Sequence, residues 1–372
     1  MLKGFLTFIL LFTAQAAMGQ QLYETARSIR SLGMGGMYIP VVNDVDALFY
    51  NPAALAKQKG FNFLLADVAL GINSDAISDI DTYKDFDPND PTSYDSLFGK
   101  RLYAQGMGKA GFTMPYFGVG YYTNYDVSLE LHNPAYPQFK TYFLNDSAFV
   151  LGGAVPITEN FSVGMNLKRI TRWGGEEKDL GLSTIANGTS FDEIGKNFDN
   201  KGVGYGIDLA LEATLPTPFS PTFALVWQDA GGTAFTKTSG TDAPPMIPQN
   251  LSAGFGLGFD LPGIDWTAGI EARHLTDSDV QLGKKIHLGT ELSLPLIDVR
   301  AGISQGYLSY GVGVNFLIFH LDAVSYTEEL GVYPGQTAEN RYAVSLSIDL
   351  SFDAAFKFTD NDGKRRKLKQ RR

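Results

Sequence analysis

Seven charged residues occupy places where small side chains are the rule: Asp126, Glu130, Lys168, Asp208, Glu271, Arg273 and Glu291. Each lies on the polar face of a stretch whose other face is apolar. Charges on a hidden face line a polar path or gate, or they pair with opposite charges, because an ion removed from water needs a partner. Arg27, Arg30, Asp44 and Asp46 near the start of the chain offer such partners. Pairing is the better reading, since perturbed charges are often structural. A second constellation is acidic: Asp75, Asp79, Asp81, Asp85, Asp87, Asp90 and Asp95 fall within 73–100. Asp85-x-Asp87-x-Asn89 matches the first half of a calcium loop but lacks the glycine at the sixth place and the closing glutamate, so a solvated loop without metal is expected. The histidines are His132, His274, His287 and His320, of which His287 shares a face with Glu291. No Gly-x-Ser-x-Gly or His-Glu-x-x-His accompanies them, so neither an enzyme nor a cofactor is expected.

The elements that position these charges are strands. Val203, Tyr205, Ile207, Leu209 and Leu211 alternate with Gly204, Gly206, Asp208, Ala210 and Glu212. Ile286, Leu288, Thr290, Leu292 and Leu294 alternate with His287, Gly289, Glu291 and Ser293. The longest case runs from Tyr342 to Phe358, with serines and aspartates on its second face. Period-two alternation with so small a second face predicts strands that have lipid on one side and a narrow lumen on the other. Strands are expected near 61–72, 101–113, 116–131, 141–155, 160–172, 203–215, 222–229, 250–260, 265–273, 285–295, 298–305, 309–318, 320–326 and 341–353. The count is fourteen, or twelve if the weakly patterned 101–113 region does not pair. Short joints (156–159, 216–221, 261–264, 295–296) alternate with long ones (73–100, 173–202, 230–249, 327–340). That is the rhythm of an all-β transmembrane antiparallel barrel with both termini periplasmic.

Composition and ends agree with this. Glycine reaches 41 in 372 residues, aromatics 13% and charged residues only 19%. No stretch of about 18 apolar residues predicts a membrane helix. Lys3, the apolar run Phe5–Phe12 and the small residues around Ala17-Met18-Gly19 predict a secretory signal over 1–19, cut after Gly19. The chain has no cysteine, so neither a lipid anchor at the cut nor disulfides are expected. The expected surroundings are outer-membrane lipid and lipopolysaccharide of a Gram-negative cell. Residues 359–372 end in seven basic residues among the last nine, beginning Lys364, Arg365, Arg366, Lys367, on a chain of net charge −10. After an export signal this reversal suits a disordered periplasmic tail touching anionic lipid, peptidoglycan or an acidic partner rather than nucleic acid.

Residues 20–60 are not strand-like. They contain Ala26-Arg27-Ser28-Ile29-Arg30-Ser31-Leu32-Gly33-Met34-Gly35-Gly36 and Asn43-Asp44-Val45-Asp46-Ala47-Leu48-Phe49-Tyr50-Asn51-Pro52-Ala53-Ala54-Leu55-Ala56. The glycines permit tight turns, and Ala53–Lys57 could make one helical turn. This segment resembles the start of the FadL-type outer-membrane transporter superfamily, which includes long-chain fatty acid transporters, aromatic hydrocarbon channels and PorV-type shuttle proteins. The likeness is strong over 20–60 and fades through the strand rhythm to about 358. It also touches Glu329-Leu330-Gly331, Pro334-Gly335 and Arg341-Tyr342. The resemblance implies a barrel of about fourteen strands over 61–358, with 20–60 as a hatch inside the lumen. Asn51, Pro52 and Ala53 match the family's hatch motif, and Gly33, Gly35, Gly36, Asp44 and Asp46 lie in the same segment. It implies a passive channel for hydrophobic small molecules such as long-chain fatty acids or, alternatively, a PorV-like protein-interaction barrel. The acidic loop 73–100 departs from the apolar loops of the fatty acid transporters.

Overall fold

The computed structural model describes residues 21–25, 27–84, 91–132, 138–181 and 198–352. One antiparallel sheet closes on itself. Its first half contains β1 Phe61–Asn73, β2 Arg101–Met114, β3 Phe117–His132, β4 Gln138–Pro156, β5 Phe161–Gly181, β6 Lys201–Thr214, β7 Thr222–Gln228 and β8 Phe235–Ser239. The second half contains β9 Asn250–Leu261, β10 Ile264–Ala272, β11 Ile286–Ser293, β12 Ile297–Ser304, β13 Tyr307–Phe316, β14 Phe319–Glu329 and β15 Ala338–Phe352. Neighbours in sequence pair except around β8, where β7 pairs with β9, and β1 pairs with β15 to close the ring. β7 and β8 both pair with β6, so they are two pieces of one wall position and the barrel has fourteen.

Alternation is what sorts the faces. Tyr205 is 74% exposed while Asp208, three residues on, is 2% exposed. Leu70, Phe149, Leu167, Leu225, Val312 and Val344 belong to the exposed set around the whole wall. A continuous apolar exterior of this kind is the surface of a barrel in a bilayer. No helix among the described residues is long and apolar enough to cross a membrane.

The expected strands are all present, with three differences. β5 runs on to Gly181, well past 172, and the expected strand 222–229 stops at Gln228. Asp229 then takes a left-handed backbone (φ 47°), and Gly231 and Gly232 follow at φ 82° and 81°. The chain leaves the wall, rejoins it as β8, and returns through Pro244, Pro245 and Pro248. Those prolines lack the N–H that a ladder needs, so this return pairs with the outgoing chain only at Thr233 and Ile247. Finally, the joint 73–100 contains α1 Ser74–Ser78, α2 Ile80–Lys84 and a 310 turn Pro91–Leu97. The incomplete calcium loop 85–89, the signal 1–19, the strand end 353–358 and the basic tail lie outside the described residues.

The joint between β14 and β15 is organised by one carboxylate. Glu329 accepts from the backbone N–H of Gly331, Gly335, Gln336 and Thr337, and from the Tyr307 hydroxyl. Glu329→Ala leaves those donors unmatched, at about 1–3 kcal/mol each where burial is complete and less at this rim. The expected result is rapid protease cleavage within 330–337 on an otherwise intact barrel, read by mass spectrometry of the fragments.

Candidate functional site

The lumen is occupied by the N-terminal segment. It starts with Gln21, which accepts from Arg341 near the long-loop end, and descends to Leu55, whose carbonyl accepts from Tyr116 N at the short-turn end. Two short helices, Ile29–Gly33 and Ala47–Tyr50, and the 310 turn Pro52–Lys57 give it shape. Asn51 makes that last turn: its side-chain oxygen accepts from Ala53 N, and Pro52 needs no donor partner at the first position. The Asn51 amide also donates to Ile39 O and to Glu212 of the wall. Leu48, Phe49, Ala53 and Leu55 are buried against Tyr122, Ala148, Val150 and Ile170. Each large apolar side chain placed there contributes roughly 1.5–3 kcal/mol.

Close approach requires the wall to be thin. A Cβ on Gly164 would sit 2.2 Å from Ala53 N, and one on Gly302 would sit 2.3 Å from Gly35 N. Gly33 lies against Gly311, while Gly35 and Gly36 turn the segment with positive φ.

Ion pairs then fix the segment to the wall. Arg30 donates to both oxygens of Glu291 at 2.8 and 2.9 Å, and to Asp44 at 2.7 Å. Burial alone would push the Asp44 carboxyl up, but Arg30 beside it holds it below the usual carboxylate range. Asp46 meets Lys109 at 2.6 Å, and Arg27 lies 3.9 Å from Glu328. Glu271 accepts from the backbone N–H of Tyr38 and Ile39, and from Arg273. Arg273 reaches Glu24 at 2.8 Å. His287 donates from Nδ1 to Gly35 O.

Of the residues singled out from sequence, Glu271, Arg273 and Glu291 meet the N-terminal segment directly. Lys168 pairs with both Asp208 and Asp229, Asp208 accepts from the Asp229 backbone N–H, and the Asp229 carboxylate accepts from Thr25. Asp126 is half-buried and accepts from Tyr103, whereas Glu130 is half-buried across the β2–β3 ladder from Arg101. Lys109, Asp146, Arg172, Glu212, Asp229 and Arg300 were missed, although all but Asp229 share a face with small residues in their own stretch; Asp229 falls on the apolar face of its stretch and turns inward only through its left-handed backbone. Between the segment and the wall a polar cavity of about 30 Å³ touches Glu24, Arg27, Arg273, His287 and Glu328. Outside, over the glycines that touch the segment, an apolar groove of about 820 Å³ is lined by Leu151, Val155, Met165, Leu209 and Trp227.

No protein-family model and no curated protein matches the chain. Solved structures do. The CymD monoaromatic hydrocarbon channel superposes with a TM-score of 0.54 at 14% identity, over 89% of this chain and 98% of that one. A TodX monoaromatic hydrocarbon channel lacking S2 and S3 gives 0.53 at 12%, over 88% and 99%. The Pseudomonas putida toluene transporter TodX gives 0.50 at 11%, over 89% and 98%. At such identities the likeness is one of architecture: this chain has the fold of the FadL-type hydrocarbon channels.

Proposed function

We propose that the chain is an outer-membrane passive channel for hydrophobic small molecules, and that its N-terminal segment is the hatch that closes it. The observation that carries this reading is a lumen filled by one continuous segment held through side-chain pairs and apolar contact, not by strand pairing. Such a plug can shift without opening the wall. The fold it shares with hydrocarbon channels supports the same reading. Short turns then face the periplasm, with both termini, and the long loops face lipopolysaccharide. Cleavage after Gly19 would free the segment to enter the lumen.

The test is flux. Proteoliposomes carrying the full chain should take up toluene or oleate faster than empty ones. Asn51→Ala, which removes the cap and the tie to Glu212, should raise the uptake several-fold, because each buried group left unmatched costs about 1–3 kcal/mol. Uptake equal to empty vesicles for both compounds would sink the proposal.

A PorV-like interaction barrel is the second reading, and the tight filling of the lumen favours it. In that case the basic residues Lys364, Arg365, Arg366 and Lys367 would bind an acidic periplasmic partner. Deleting 359–372 separates the two: flux survives the deletion, whereas tail-dependent assembly does not.

A further inference from the structure

The outer half of the lumen contains a recognition arrangement that hatch anchoring does not require. The Arg172 guanidinium donates from Nε and Nη2 to the two oxygens of Asp146, both at 2.7 Å, and from Nη1 to Pro245 O at 2.8 Å. One of its faces meets the Phe235 ring, 5.1 Å from the centroid. The Tyr23 ring also stacks on it, at 4.8 Å, and the Tyr23 hydroxyl donates to Asp146 Oδ2 at 2.6 Å. The ring rests against the apolar cluster that includes Tyr122, Val150, Ile170 and Ile247. The Tyr122 hydroxyl is buried there and has no hydrogen-bond partner among the described residues.

Tyr23 lies outside the paired wall that holds the groups around it. Residues 21–25 have no helix or strand. Their ties run to wall side chains: Gln21 to Arg341, Glu24 to Arg273, the Thr25 hydroxyl to Asp229, and the Thr25 carbonyl, which accepts from the Asn124 amide. Asp146 and Arg172, by contrast, sit on long paired strands. A rigid pocket with an acceptor, a flat cation and an apolar floor is therefore filled by a tethered aromatic alcohol.

We infer that this pocket is a binding site for a neutral phenolic molecule, and that Tyr23 stands in it as the closed channel's own surrogate ligand. The free equivalent of the Tyr23 side chain is p-cresol. Toluene has the same ring and methyl group but nothing to give Asp146. An aromatic carboxylate brings a negative charge against Asp146. A hydrogen bond to a charged acceptor is the contact that separates phenol from hydrocarbon, by roughly tenfold or more. Burial, with Asp146 beside it, raises the Tyr23 hydroxyl well above its ordinary pKa, so it stays a donor. Bound ligand and Tyr23 exclude each other, which makes entry of a phenol and release of the strap 21–25 one event. The role in transport rests on the channel reading; the site itself does not.

Calorimetric titration of the purified full chain in detergent tests it, with p-cresol, toluene and p-toluate as probes. Tyr23→Ala removes a tethered competitor whose effective concentration is in the millimolar range or above. It should therefore bind p-cresol at least tenfold more tightly than the unaltered chain, toluene at least tenfold more weakly than p-cresol, and p-toluate not at all. If Tyr23→Ala does not give a folded barrel, Tyr23→Phe keeps the ring and drops the hydroxyl, and should still gain p-cresol affinity. Equal affinity for p-cresol and toluene, or no gain in a folded variant, overturns the inference. Toluene flux without p-cresol preference sinks this inference alone. Selective p-cresol binding with no flux of any hydrophobic compound sinks the channel reading and leaves the site.

Discussion

Glu291→Ala is expected to release the N-terminal segment from the wall while the barrel stays closed. Glu291 is 2% exposed and lies between two cations, Arg30 of the segment and Arg300 of β12. Removing it leaves two buried guanidinium groups facing each other with one counter-charge fewer. Breaking a buried pair in this way costs about 3–5 kcal/mol, which is roughly two to four decades in the docking equilibrium. The outer ladder does not depend on that side chain, because β11 pairs with β10 and β12 through backbone bonds. Two measurements check this. Trypsin should reach Arg27 and Arg30, which are buried in the parent. In planar bilayers, stable openings should replace a closed baseline. An unaltered baseline and protected arginines would mean that apolar packing alone holds the segment.

Gly302→Val should act by shape rather than by charge. The first atom of any side chain there would lie 2.3 Å from Gly35 N and Met34 C, which are backbone and cannot rotate away. Overpacking typically costs about 1–3 kcal/mol even where neighbours can yield, and here the segment itself must move. Gly258 is the control, since nothing lies within 4 Å of a Cβ placed on it. Gly302→Val should raise conductance and uptake as Glu291→Ala does, without the salt sensitivity of a charge defect, while Gly258→Val should match the parent. If the two glycine variants behave alike, the contact at Gly302 is not what closes the lumen.

The fourteen wall positions were legible because each strand carries its own evidence. Lipid and lumen face alternate residues, so Tyr205 and Asp208 reveal their sides without reference to any partner. The break after Gln228 was not legible. Gly231, Gly232, Pro244 and Pro245 read as an ordinary long joint, and only the fold brings Ile247 back to Thr233. Among the charges, period two marks Glu271 and Glu291 as inward, but it cannot say what they meet. Arg30 and Glu291 are 261 residues apart in the chain, and no spacing rule reaches that far. Arg172 and Asp146 were overlooked for a related reason. Period two marks both as inward, but their meaning comes from Tyr23, whose ring lies over the Arg172 guanidinium and whose hydroxyl meets Asp146.

The order of the chain has a consequence for how the molecule comes to exist. The segment that fills the lumen is followed within four residues by β1, and β1 closes the ring only by meeting β15, the last described strand. The segment's partners on β10 to β12, such as Glu271 and Glu291, emerge from the ribosome more than two hundred residues after it. Contacts so distant in sequence form slowly. Once the seam between Phe61 and Phe352 zips, a folded plug has no wide door left to enter by. The segment must therefore be inside, or be drawn in by β1 itself, before the seam is complete. Variants that weaken docking should consequently show a kinetic defect as well as an open pore, accumulating as unsealed barrels whose first and last strands have not yet joined.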